Sequence, residues 1–168
     1  WSKFESLYYP GDYAIKDSDG YLWLLGRSDD VLKVAGHRIG TAELESSIVS
    51  HNDVAESAVC GIPDDVKGES IIAFVVLKEN VHTSDDTLRS ELRDTIRTQI
   101  GPIATPSQFY IVTKLPKTRS GKIMRRLLKS IANNETIGDV STLEDGTVVS
   151  EIQSTFNELQ KNIQNQKN

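Results

Sequence analysis

One cysteine, one methionine and two tryptophans are spread over 168 residues. The lone thiol, Cys60, cannot close an internal disulfide, and no cysteine and histidine spacing has the form of a zinc site. Stability must therefore come from packing and hydrogen bonds, no metal site is expected, and the reduced thiol suits a cytoplasmic location. Long apolar runs are missing too. The longest is Ile71–Leu77, far short of the roughly eighteen residues a membrane helix needs, so no membrane partner is expected. Trp1 to Pro10 lacks the apolar region of a secretory leader. Because the chain opens on Trp1 and its only methionine is Met124, it reads as a piece of a longer polypeptide. At 18.6 kDa it can bury one domain core and carry appendages.

Negative charge is missing from one stretch. Phe109 to Asn134 holds no Asp or Glu but seven bases, Lys114, Lys117, Arg119, Lys122, Arg125, Arg126 and Lys129. The whole chain carries a formal charge of -5, so an acidic body bears one compact positive segment, whose partner should be anionic. Nucleic acid is a poor candidate: no aromatic residue is interleaved with the bases from Lys114 to Lys129, and the remaining surface is acidic.

Periodicity gives an α+β order of elements. Tyr13–Ile15, the turn Lys16–Gly20 and Tyr21–Leu25 read as a β-hairpin. Val31–Val34 and His37–Ile39 read as a second, shorter one. Thr41 can cap a helix with Leu44 and Ile48 inward. Val54–Ile62 and Ser70–Leu77 read as strands about a turn at Lys67-Gly68, the second apolar enough to be covered on both faces. Thr83 and Asp86 have capping-box spacing ahead of a helix carrying Leu88, Leu92, Ile96 and Ile100, beside a stripe of Arg89, Arg93 and Arg97. Gly101-Pro102 stops it. Phe109–Val112 reads as a strand and Gly121–Ala132 as an amphipathic helix with Ile123, Leu127, Leu128 and Ile131 inward. Asn133–Thr147 is polar, a linker by composition. Val149, Ile152, Phe156, Leu159 and Ile163 then form a stripe on a terminal helix, too short for a coiled coil and better suited to docking on the body.

Two segments carry chemistry. In Leu115–Arg126 a Ser120-Gly121 turn presents Lys122, whose long stem can deliver a point charge to a phosphate or carboxylate. The segment is not a Walker A loop, because Pro116 stands where that motif has Gly and Ile123 where it has Ser or Thr; a solvated basic turn has the same composition. In Gly26-Arg-Ser-Asp-Asp30 and Val34-Ala-Gly-His-Arg38, glycines beside arginines let backbone approach a ligand while a guanidinium grips an oxyanion, although a turn and a hairpin need no ligand to explain them.

Together these runs resemble the C-terminal part of the AMP-forming acyl-CoA synthetases of the adenylate-forming superfamily. The likeness extends from about Tyr9 to Ser130 and includes Tyr9-Pro-Gly-Asp12, Thr41-Ala-Glu-Leu-Glu45, Gly61-Ile-Pro-Asp64, Gly101-Pro-Ile-Ala-Thr-Pro106 and Pro116-Lys-Thr-Arg-Ser-Gly-Lys122. The Gly-His-Arg form and the full Pro116–Arg126 string look most like the acetyl-CoA synthetase branch, and propionyl-CoA or other short-chain acyl-CoA synthetases share much of them. The resemblance implies an acetate-CoA ligase reaction. Acetate and ATP give acetyl-AMP and pyrophosphate, and the CoA thiol then displaces AMP. It also implies a small C-terminal domain that swings on a hinge between the two steps.

On this resemblance Lys122 is the catalytic lysine of adenylation and a target of a lysine acetyltransferase and deacetylase. Asp12, Arg27 and Arg38 are nucleotide-binding, Ala35, Gly36 and Arg97 contact CoA, and Asp29 is the hinge. Ala35 departs from a serine common in bacterial relatives, a lost hydroxyl contact worth about 1 kcal/mol. ATP, AMP and CoA are the expected ligands, with Mg2+ carried by ATP and held mainly outside this segment. Residues 1–28 would end the large adenylating domain, 29–133 form the mobile domain, a small central sheet flanked by helices, and 134–168 supply linker and terminal helix. The fragment alone should not turn over. A non-catalytic module that docks CoA or a protein is the alternative of a different class. His37, His51 and His82 read as structural or surface residues, Cys60, Trp23 and Phe109 as packing residues, and Glu43 and Glu45 as partners of a helix macrodipole.

Overall fold

A computed structural model describes residues 7–27 and 30–166 of the chain. Alternation along one strand organises it. In β6 (Gly68–Leu77) Ile71, Ala73 and Val75 face one core while Ile72 and Phe74 face another, each no more than 2% exposed. The expected coverage of this strand on both faces is observed, and it follows from the period-two geometry of an all-apolar strand.

Five strands make the main sheet. β3 (Val31–Val34) and β4 (His37–Gly40) form a hairpin, β5 (Val54–Asp64) and β6 a long one, and the order is β4-β3-β6-β5. β7 (Gln108–Ile111) runs parallel to β6, with Ile72 opposite Gln108 and Val75 opposite Ile111. Ahead of the sheet, β1 (Asp12–Lys16) and β2 (Leu22–Arg27) pair as the separate hairpin that the turn chemistry indicated. The fold is thus mixed α and β, a central sheet flanked by helices.

Helices cover both faces. α1 (Thr41–Val49) and α2 (Asp85–Gln99) bury Leu44, Ile48, Leu88, Leu92 and Ile96 against Val59, Ala73 and Phe109. Each such side chain contributes about 1.5–3 kcal/mol by leaving water. On the opposite face α3 (Arg125–Ala132) and α4 (Thr147–Gln166) cover Ala58, Cys60, Ile72, Phe74 and Tyr110. α4 docks through Val148, Ile152 and Phe156, whose ring lies 4.9 Å from that of Tyr110. The expected docking of this helix is observed over its described side chains; Leu159 and Ile163 lie outside them.

Several boundaries differ from expectation. α1 is preceded by Gly40 as N-cap, so Thr41 is already helical and provides no side-chain cap. α2 is capped by Ser84, whose Oγ accepts from the Thr87 amide at 3.3 Å, while Thr83 instead donates to Asp53 Oδ2 at 2.6 Å. α3 begins at Arg125 rather than Gly121, because the Met124 amide donates to Pro116 O at 2.8 Å and holds residues 121–124 in a hairpin arm. Trp23 does not pack: it is 64% exposed, and its Nε1 donates to Asp17 Oδ2 at 2.9 Å.

Candidate functional site

Lys122 sits in a tight turn. Lys117 pairs with Ile123, the Thr118 amide donates to Lys122 O and the Gly121 amide to Thr118 O, both at 2.8 Å. Thr118 Oγ1 accepts from the Lys122 amide at 3.1 Å and lies 3.0 Å from Ser120 Oγ. Gly121 closes the turn at φ +81°, a left-handed conformation that suits glycine. The Ser-Gly pair therefore makes a defined hairpin tip instead of a flexible loop. Lys122 is exposed there, and its ammonium makes no hydrogen bond or ion pair with the described residues. One arm is anchored where Lys117 Nζ meets Glu56 Oε1 at 2.7 Å, near the start of β5.

A second group forms around the β3–β4 turn. Ala35 and Gly36 have φ of 47° and 83°, the two successive left-handed residues of a type I′ connection between Val34 and His37. A glycine would be cheaper at the first of these, since alanine in this region costs about 1 kcal/mol. The Ala35 amide is tied to Lys67 O at 2.8 Å. Arg38 reaches away from the sheet, donating to Tyr13 Oη at 2.9 Å, with its guanidinium 6.0 Å from that ring's centre. Tyr13 is next to Asp12, and Asp12 lies opposite Arg27 in β1–β2, Arg27 Nη1 approaching Asp12 Oδ1 at 3.8 Å and donating to Pro10 O at 3.1 Å. Asp12 and Arg27 are thus paired across β1–β2, and Arg38 meets the same strand β1 at Tyr13. Asp29 lies outside the described residues.

The two groups occupy opposite ends of the β5–β6 ribbon. Lys117 is pinned to Glu56, whereas Val34 pairs with Gly68, itself opposite Asp64. From Glu56 to Asp64 at about 3.3 Å per residue is roughly 26 Å, so the Lys117 arm and the Ala35–Arg38 turn are anchored far apart along β5.

The arginine stripe on α2 splits by environment. Arg89 donates to Phe109 O and pairs with Asp85 at 3.5 Å, and Arg93 lies 5.8 Å over the Phe109 ring. Only Arg97 of the three is exposed and without a polar partner among the described residues, which leaves it available to an anion. Of the histidines, His51 meets Glu91 at 3.1 Å, a surface contact. Burial pushes the Cys60 thiol up to about 12, which makes it inert. No helix among the described residues is long and apolar enough to cross a membrane.

Residues 43–122 match the family model of the AMP-binding enzyme C-terminal domain. Through these residues the chain belongs to that family. Over 95% of its length the chain is 62% identical to an acetyl-coenzyme A synthetase of Pyrobaculum aerophilum, covering 24% of that protein. It is 51% identical, over 97% of its length, to a 3-hydroxypropionyl-coenzyme A synthetase of Metallosphaera sedula, again covering 24% of it. The crystal structure of an anthranilate CoA ligase, AuaEII, in complex with anthranoyl-AMP superposes with a TM-score of 0.66 at 38% identity, covering 74% of this chain and 24% of that one. The chain therefore spans about a quarter of the length of these relatives.

Within the AMP-binding C-terminal domain, the sequence reading overlooked one residue. Glu45 is not a surface partner of the helix dipole. It is 9% exposed, accepts from the Val59 amide at 2.9 Å and from Arg125 Nε at 2.7 Å, and so joins α1, β5 and α3. A carboxylate buried on the inner face of a helix beside Leu44 and Ile48 was the available signal, since it demands a cation.

Proposed function

We propose that the chain is the C-terminal part of an AMP-forming acetate-CoA ligase and serves the two half-reactions from opposite ends of β5–β6. The observation that carries the reading is that an exposed Lys122, without a polar partner among the described residues, and the Ala35–Arg38 turn sit on segments anchored at Glu56 and opposite Asp64, roughly 26 Å apart along β5. In adenylation, the Lys122 ammonium would bridge the acetate carboxylate and the α-phosphate, stabilising charge that develops as pyrophosphate leaves. In thioester formation the domain would turn, bringing the Ala35-Gly36 turn to line the path of the CoA thiol, with Arg38 near the site and Arg97 on a CoA phosphate. Asp12 would accept from ribose hydroxyls and Arg27 would meet ribose and phosphate, with Asp29 as the pivot. Residues 29–133 are then the mobile body, 1–28 the end of the large domain and 134–168 its C-terminal appendage.

The acyl group is assigned as acetate on the higher identity to the acetate relative, 62% against 51% for the 3-hydroxypropionyl one. Among the described residues no three His, Cys, Asp or Glu converge to hold a metal, and Mg2+ would arrive with ATP. An exposed Lys122 is also open to a cytoplasmic acetyltransferase and deacetylase, and acetylation would abolish its charge.

The test is to separate the half-reactions in the intact protein that carries this chain. Lys122→Ala should lose adenylate formation from acetate and ATP while forming acetyl-CoA from supplied acetyl-AMP at near the normal rate. Loss of both steps, or of neither, would overturn the assignment. Propionate or 3-hydroxypropionate outcompeting acetate would leave the chemistry and correct the substrate.

A further inference from the structure

The polar segment between α3 and α4 is docked on the Lys122 hairpin. Thr118 pairs antiparallel with Leu143, the Arg119 amide donates to Thr142 O at 3.1 Å and the Glu144 amide to Lys117 O at 3.0 Å. Residues 142–144 are therefore bridged to the arm that does not carry Lys122, lying beside it as a third extended segment. Leu143 fastens it at 7% exposure, and a turn, Leu143 amide to Val140 O at 3.0 Å, shapes the approach. The upstream end is held by α3, where Arg126 Nη2 donates to Asp139 O at 3.0 Å. Gly138 makes room for that guanidinium, since a Cβ there would stand 2.7 Å from Arg126 Nη1. Downstream, Asp145 Oδ1 accepts from the Thr147 amide and hydroxyl at 3.0 and 2.7 Å, at the start of a helix anchored by Val148, Ile152 and Phe156.

A two-stranded turn in water is marginally stable, and it gains order from a third paired segment and an apolar anchor. We propose that residues 138–145 are a positioning strap that fixes the direction in which the hairpin presents Lys122. The inference rests on the adenylation reading of Lys122 and adds to it the element that aims the ammonium. Among the described residues the strap makes no hydrogen bond or bridge to the Ala35–Arg38 turn, so its effect belongs to one half-reaction only. Misplacement of a catalytic group by about 1 Å can cost on the order of a hundred-fold.

Two variants of the intact protein test it. Glu144→Pro deletes the donor to Lys117 O at an exposed position, and Leu143→Ala weakens the anchor. Each should speed hydrogen exchange in a peptide covering residues 117–123 while leaving that of β5–β6 unchanged. Each should also lower adenylation from acetate and ATP by about ten-fold or more while sparing thioester formation from supplied acetyl-AMP. Unchanged exchange in residues 117–123 would overturn the strap irrespective of what Lys122 does. Faster exchange with both half-reactions lowered equally would reduce the segment to a purely structural role and overturn the positioning. Lys122→Ala, assayed alongside, identifies the other failure: if it leaves adenylation intact, the reading of the lysine falls, and the strap has no catalytic group to aim.

Discussion

Arg125 and Glu45 join α3 to α1 through two guanidinium-to-carboxylate hydrogen bonds, Nε to Oε1 at 2.7 Å and Nη2 to Oε2 at 2.5 Å, with Asp30 Oδ2 3.6 Å from Nη1. Glu45 also holds the Val59 amide, so removing Arg125 would strand a carboxylate within the core margin. Breaking a pair that is mostly out of water costs about 3 kcal/mol, and Arg125→Ala should lower the unfolding free energy in urea by about that amount. Arg125→Lys should recover only part of it, because one ammonium cannot reproduce a two-pronged contact. A loss within the error of a surface substitution would show that the pair is solvated.

The turn that carries Lys122 depends on Gly121, which sits at φ +81° with nothing within 4 Å of where a Cβ would go. Space is available, and only the backbone conformation resists substitution. Gly121→Ala should cost about 1–2 kcal/mol locally, and Gly121→Asn less, because asparagine tolerates the left-handed region. In half-reaction assays the order of adenylation rates should be Gly, Asn, Ala, with thioester formation unaffected. Equal rates for all three would mean that the turn reforms around any residue.

Strong apolar patterns made the body of this fold legible. Ser70–Leu77 could only be a strand covered twice, and Leu88, Leu92 and Ile96 could only be the inner face of a helix. The contacts that escaped are made by backbone or by charge. Residues 133–146 look like a linker because their side chains are polar, yet their amides and carbonyls pair with the Lys122 hairpin, and composition says nothing about that. Ile123 was counted into a helical stripe; it does pack partly on the same core, but from a hairpin arm. Arg89 and Arg93 share a stripe with Arg97, but Phe109 engages both, a contact that depends on the tertiary fold. Lys122, Arg38 and Arg27 were legible through motif chemistry, whereas their distribution to two ends of a ribbon depends on strand register.

Tyr13 links the β1–β2 hairpin to the Ala35–Arg38 turn through its hydroxyl, which accepts from Arg38 at 2.9 Å. Tyr13→Phe keeps the ring under the guanidinium and removes only the acceptor. One net hydrogen bond is worth about 1 kcal/mol, so thioester formation from supplied acetyl-AMP should slow about five-fold, with adenylation unchanged. A drop confined to adenylation would place Arg38 in the wrong half-reaction.

Cys60 supplies the last prediction. Its thiol lies on β5 beneath α3, 5% exposed, and burial pushes its pKa up from 9.0 to about 12. Because the folded state holds the proton more tightly than the unfolded state, the associated stability is fully present below about pH 9 and declines as pH rises from there towards 12. Melting temperatures measured across this range should fall more steeply for the native protein than for Cys60→Ala, which has no proton to release. At pH 8 the folded thiol should resist maleimide, and labelling should track unfolding in urea. Rapid labelling of the folded protein, or parallel melting curves for the two proteins, would show that water reaches the thiol and that burial does not govern its ionisation.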